Sequence, residues 1–171
     1  GLCLVGSEMC IRDSNIPVLE KQLVSKNVNP QFDGPYILKP RFGGSSIGVE
    51  IVEDYKTAIS ITSTSDLYNQ GATIEKYLEE SSDLLIAVRS FPMQNYSEIE
   101  KPIRSNNFEL FSYTDKYLEN GGLEGSKREL PAKIEKEVED EIYRILDLFM
   151  TIVEIRGISR VCLLYTSDAA D

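Results

Sequence analysis

The sequence predicts an α+β fold, and three observations carry that expectation. Short apolar segments bounded by turn residues read as strands. A glycine- and serine-rich loop, Gly43-Gly44-Ser45-Ser46-Ile47-Gly48, separates two of them. One long segment carries Ile134, Val138, Ile142, Ile145, Leu146, Phe149 and Val153, mostly at spacings of four and three, and reads as an amphipathic helix. An α/β arrangement fits the same segments. The chain has 171 residues, of which 42% are hydrophobic, enough for one domain of ordinary size or two small ones.

The elements follow in order. Ile16-Pro17-Val18-Leu19 opens into a polar loop. Tyr36 to Lys39 is a short strand, ended by Pro40, which cannot donate to a sheet ladder. After the glycine loop, Val49 to Val52 returns as a strand. Glu53 and Asp54 supply acidic residues suited to a helix start before Tyr55 to Ile61. Ala72 to Tyr77 is a further strand. Asp83 to Phe91 holds the nearly continuous apolar run Leu84-Leu85-Ile86-Ala87-Val88, suited to a buried strand. Ser97 to Ile103 and Phe108 to Tyr113 read as two more. A long polar loop runs from Glu119 to Pro131 before the helix, Gly157 is placed as its C-terminal stop, and Ile158 to Val161 begins a last strand. A subdomain boundary is expected near Glu79 to Ser82.

Composition removes several chemistries. Lysine and arginine total 18 against 28 acidic residues, a net charge of −10, which argues against a nucleic-acid surface. There is no histidine, so Ser-His-Asp triads, Cys-His dyads and histidine-ligated metals are excluded. No apolar run approaches the roughly 20 residues of a membrane span, so no membrane partner is expected. The cysteines Cys3, Cys10 and Cys162 form no CxxC pair and suggest no disulfide framework.

The two ends share a peculiarity. Met9-Cys10-Ile11-Arg12-Asp13-Ser14 and Cys162-Leu163-Leu164-Tyr165-Thr166-Ser167 can be back-translated as one inverted repeat read from opposite strands. That repeat resembles the mosaic end of a transposase-based sequencing adapter. Residues 1–14 and 162–171 are therefore expected to be adapter-derived, not native, and to add nothing to the architecture. The natural part is expected to be a fragment, residues 15–161.

A loop of small residues between strands lets backbone N–H groups converge on an anion, because no Cβ blocks the approach. Gly43 to Gly48 has that character, yet it fails the phosphate-loop pattern, since Val49-Glu50 stands where Lys-Ser/Thr is required. It equally suits a tight hairpin. Its neighbourhood favours the anion. Lys39 ends the incoming strand, where an ammonium meets a phosphate as a point charge. Thr73-Ile74-Glu75-Lys76-Tyr77-Leu78 is a strand running into an acidic stretch, and Tyr113-Thr114-Asp115-Lys116-Tyr117 offers a second lysine.

In this order, Lys39-Pro40, Gly44-Ser45-Ser46-Ile47-Gly48, Glu75-Lys76-Tyr77-Leu78, Lys116-Tyr117 and Arg160-Val161 resemble the ATP-grasp fold, in its D-alanine–D-alanine ligase branch. The resemblance implies an α+β fold of two sheet-containing subdomains with an ATP cleft between them, here truncated. Residues 15–80 would be the small subdomain with the glycine loop, and 81–161 the larger, truncated one. It implies that Lys39 and Lys116 contact ATP phosphates, while Gly44, Ser45 and Ser46 belong to the loop closing over them. Glu75 would accept from the adenine amino group, with the Lys76, Tyr77 and Leu78 backbone lining the base. Asp83 would hold the ribose, although its spacing from Leu78 is one residue long. Tyr117 would lie near the first substrate, Ser45 beside the reacting groups, and Arg160 would steady the developing oxyanion.

The implied parent reaction is dipeptide formation for peptidoglycan synthesis. A carboxylate attacks the γ-phosphate of ATP to give an acyl phosphate, which a second amino acid's amine displaces. Such catalysis is mainly positioning and charge stabilisation, needing no histidine. ATP, an amino acid (D-alanine in the parent) and Mg2+ are the implied ligands, in a cytoplasmic enzyme, and the resemblance allows a homodimeric parent. The family's first metal carboxylate falls at Cys162 in this chain and the later ligands lie beyond its end, so no metal ligand is assigned. Weak ATP binding without ligation is the expectation for the fragment. The alternatives are another ATP-grasp carboxylate–amine ligase or carboxylase, or a nucleotide-binding module without chemistry.

Overall fold

The computed structural model describes residues 11, 13–103 and 127–166. They divide into two compact units. Residues Leu19–Glu79 belong to one; of the other described residues, 11 and 13–18, Glu80–Ile103 and 127–166 belong to the other.

The Leu19–Glu79 unit contains β1 (Lys21–Leu23), β2 (Tyr36–Pro40), β3 (Glu50–Val52), helix α1 (Tyr55–Thr64), a 3-10 turn (Asp66–Tyr68) and β4 (Ala72–Lys76). Its sheet has the order β1-β4-β2-β3, with every neighbour antiparallel. Alternation sends Tyr36, Leu38, Val52, Ala72 and Ile74 to one face, where they pack with Ala58 of α1 and Tyr68. Ile37, Lys39, Thr73 and Glu75 therefore share the opposite face. Helix α1 starts where the acidic pair suggests: the Thr57 amide donates to Asp54 Oδ1 at 2.8 Å, an N-cap. That amide is also the main cause holding the Asp54 carboxyl below its ordinary range.

The second unit contains β5 (Ser82–Arg89), β6 (Asn95–Tyr96), β7 (Lys101–Pro102), β8 (Arg128–Glu129), helix α2 (Lys136–Ile152) and β9 (Ile158–Tyr165). Strand β5 lies between β6 and β9, antiparallel to both, and β7 pairs with β8. Leu84, Ile86 and Val88 of β5 meet Ile142 and Leu146 of α2; all but Ile142 are fully buried. No helix among the described residues is long and apolar enough to cross a membrane.

Several sequence expectations need correction. Strand β1 was not foreseen: it has three residues, Lys21-Gln22-Leu23, and two of them are polar. The single strand expected over Ser97 to Ile103 is two short ones, β6 and β7. Between them the Ser97 hydroxyl, in place of a backbone carbonyl, accepts the Ala87 amide at 3.0 Å and breaks the ladder. Gly157 does not stop the helix, which ends at Ile152 with Val153 as its cap. Its φ of +92° instead turns the chain into β9, where its amide donates to Ser90 Oγ at 3.0 Å.

The largest correction concerns residues 162–171, expected to add nothing to the architecture. Strand β9 does not stop at Val161 but continues to Tyr165, with Cys162 opposite Leu85, Leu163 opposite Leu84 and Tyr165 opposite Ser82. Leu163 and Tyr165 pack against the α2 core. The alternation Val161, Leu163, Tyr165 supplies an apolar face whatever its coding origin.

Candidate functional site

Strands β2 and β4 build the candidate nucleotide site. Ile37 pairs with Glu75 and Lys39 with Thr73, so Lys39 and Glu75 are diagonal neighbours on the face away from α1. Their side chains meet: the Lys39 ammonium donates to Glu75 Oε2. Lys21, directly opposite Glu75 on β1, brings a second ammonium 3.9 Å from its other oxygen. Sequence reading missed Lys21, because nothing local reveals which strand will pair with β4. The Glu75 side chain is 15% exposed, so two cations hold a carboxylate that is largely withdrawn from water.

The chain leaves β2 through the glycine loop. The Arg41 amide still donates to the Gly71 carbonyl at 2.9 Å, which carries the ladder one step past Pro40. Beyond it, Ser45, Ser46 and Gly48 all have left-handed backbones, with φ of +54°, +60° and +70°. For the two serines this conformation costs about 1–2 kcal/mol each. Two tight turns result, Ile47 N–H to Gly44 C=O at 3.1 Å and Val49 N–H to Ser46 C=O at 3.3 Å. The loop is exposed at Gly43, Gly44 and Ser45, and a Cβ at Gly44 would meet nothing within 4 Å.

A residue that sequence reading overlooked anchors the loop's far end. The Tyr68 hydroxyl lies 2.9 Å from the Gly48 carbonyl and 3.0 Å from Glu50 Oε1, and donates its one proton between them. Burial first, then Glu50, pushes its pKa well above the ordinary tyrosine value. At Gly48 itself a Cβ would come 2.8 Å from Pro40 Cγ, so glycine is needed for space as well as for φ.

On the strand leading out, the Lys76 amide donates to the Glu20 carbonyl at 3.3 Å and the Tyr77 amide to the Pro35 carbonyl at 3.0 Å. Both N–H groups are therefore spent within the fold. Lys76 is exposed, and Tyr77 and Leu78 are half-buried.

Asp83 and Arg160 belong to the other unit, on β5 and β9. Arg160 is exposed opposite Ala87, and Asp83 lies opposite Leu164, both on the sheet face away from α2. Lys116 and Tyr117 lie outside the described residues. Among the described residues no three His, Cys, Asp or Glu side chains converge as metal ligands. Cys162, at the position where the resemblance expects a carboxylate, is an exposed free thiol, too soft a ligand for magnesium. The described donors thus do not fit that ion.

Comparison with known proteins agrees with this geometry. A family model described as "D-ala D-ala ligase C-terminus" matches residues 6–170. A D-alanine–D-alanine ligase of Thermosipho africanus is 28% identical over 173 residues, covering 96% of this chain and 46% of that relative. The chain thus spans about half the length of the curated relatives it resembles. Among solved structures, a D-alanine–D-alanine ligase from Bacillus anthracis complexed with ATP superposes with a TM-score of 0.65 at 18% identity, over 94% of this chain and 49% of that one. An ADP complex of N5-carboxyaminoimidazole ribonucleotide synthetase superposes with a TM-score of 0.68 at 16% identity, over 94% of this chain and 40% of that one. At such identities these two structures speak for the ATP-grasp fold alone. The family match runs through the glycine loop and all three described sheets, and the chain belongs to the D-alanine–D-alanine ligase family, carrying its C-terminal ATP-grasp region.

Proposed function

We propose that this chain is the nucleotide-binding part of an ATP-dependent ligase that joins two D-alanine molecules for peptidoglycan synthesis. The observation that carries the reading is the Lys39–Glu75 contact on the face of β2 and β4 away from α1, where β2 runs into the left-handed glycine loop. A cation, an acceptor for an amino group and a set of backbone amides then lie on one continuous stretch of sheet and loop.

In this reading Glu75 accepts from the adenine amino group. Lys39, held by the same carboxylate, reaches the phosphate nearest the ribose. The Lys76 and Tyr77 amides are spent on Glu20 and Pro35, so these residues contribute to the base pocket through carbonyls and packing. Gly44, Ser45 and Ser46 close over the outer phosphates through backbone donors and hydroxyls, and Ser45 sits beside the reacting groups. Lys116 adds a second phosphate contact, Asp83 holds the ribose, and Tyr117 lies near the first substrate. The D-alanine carboxylate attacks the γ-phosphate, ADP leaves, and the second amine displaces phosphate while Arg160 stabilises the oxyanion. Magnesium, where the parent supplies its ligands, would neutralise charge on the phosphates. A reaction that consumes ATP to make a wall precursor belongs in the cytoplasm.

The test is an equilibrium titration of the chain with ATP, beside a phosphate-release and dipeptide assay. The chain should bind ATP weakly and form no dipeptide, since it spans half of its relatives. ATP-dependent dipeptide formation by the full-length parent is expected; a full-length parent inert toward D-alanine would refute the substrate.

A further inference from the structure

The second unit holds a feature that the nucleotide reading does not use. Arg89 sits opposite Ile158 and Arg160 opposite Ala87, which makes the two arginines diagonal neighbours across β5 and β9. Alternation puts both on the face away from α2, because Val88, Ile86 and Val161 fill the other. Diagonal positions of this kind lie about 7–8 Å apart, within reach of long side chains. Two cationic side chains rooted at diagonal positions on one face repel, so this register calls for a counter-charge.

The described residues do not supply one. Arg89 and Arg160 form no ion pair, in a chain with 28 acidic residues for 18 basic ones. Of the carboxylates on that face, Glu100, which bridges Leu85, pairs with Arg128 at 3.7 Å. Asp83 is four residues from Ala87 along β5, roughly 13 Å at strand rise. Glu98 acts on Tyr143 of α2, whose pKa is raised by burial first, then by Glu139 and Glu98. The Nε of Arg89 is moreover shielded from water without a hydrogen-bond partner. A shielded donor with no acceptor is costly and rare, and points to an acceptor that arrives with a ligand.

We propose that Arg89 and Arg160 together bind a doubly charged tetrahedral oxyanion, inorganic phosphate or a phosphoryl group, on the open face of β5 and β9. Two adjacent guanidinium forks match two charges and several oxygens better than they match a single carboxylate. That the anion is phosphate rests on the ligase reading, in which phosphate is released beside Arg160; the paired arginines do not. Arg89 is then a further binding residue, holding the leaving phosphate while Arg160 faces the oxyanion.

Calorimetric titration of the chain with inorganic phosphate, at constant ionic strength, tests this. Saturable binding is expected, acetate should not compete, and Arg89→Gln should weaken phosphate about tenfold, the loss of one charge-assisted contact. Arg89→Lys should fall between, keeping the charge and losing the fork. Arg89→Met keeps the apolar stem and carries the same comparison should the glutamine variant fail to fold. No phosphate binding by the chain, equal affinity in the Arg89 variants, or equal competition by acetate would each overturn the proposal. Phosphate binding that depends on Arg89 in a chain that ignores ATP would uphold it while the ligase reading fails. ATP binding with phosphate indifferent to Arg89 would do the reverse.

Discussion

The Lys39 ammonium is held by Glu75, so in the proposed nucleotide site a phosphate would compete with a carboxylate for it. Lys21 makes that competition feasible, because it keeps Glu75 neutralised when Lys39 turns away. The same arrangement lets Lys39 be removed without stranding a buried charge. Gly48 and Tyr68 are less forgiving. Gly48→Ala must strain a left-handed backbone and push Pro40 aside, and should cost about 1–3 kcal/mol in chemical denaturation. Tyr68→Phe removes the proton that anchors the loop and should cost about 1 kcal/mol while loosening the loop. The loop's turns were legible in the sequence, since a run of glycine and serine is a local signal. The partners Lys21, Tyr68 and Arg89 were not, because each acts across a strand register that no local pattern encodes.

At the scale of elements, the sheets and helices followed from alternation and period wherever a segment was long. Helix α2 and strand β5 show this, while β1, with three residues, had too little pattern to read. Strand β9 was cut short in the reading because its coding resembled an adapter, although its apolar alternation runs on. Leu163→Ala should therefore destabilise the second unit by about 2 kcal/mol, read by loss of amide protection in β5. Strand β6 carries a pH-sensitive contact with α2. Burial first, then a hydrogen bond to Asp147, pushes the Tyr96 hydroxyl up to about 12 from 10.0. A pKa raised by folding means the neutral form is favoured in the fold. Its contribution is complete below pH 10 and drains away as pH rises toward 12. Tyr96→Phe should make stability fall less steeply across that window; an unchanged alkaline limb would contradict the assignment.

For the whole molecule, each unit has its own strands and its own buried cluster, and the chain spans about half the length of its relatives. The family was legible because the motifs occur in order along nearly the full chain. The chemistry of the site was less so: Lys116 and Tyr117, which the resemblance assigns to it, lie outside the described residues. The most direct test is an equilibrium ATP titration of this chain and its Lys39→Met variant, with the fold of both checked by circular dichroism. Saturable binding by the parent chain, weakened about tenfold or more in the variant, is the predicted result. Equal affinity in two folded proteins, or no ATP binding by the parent chain, would contradict a nucleotide site on β2, β4 and the glycine loop.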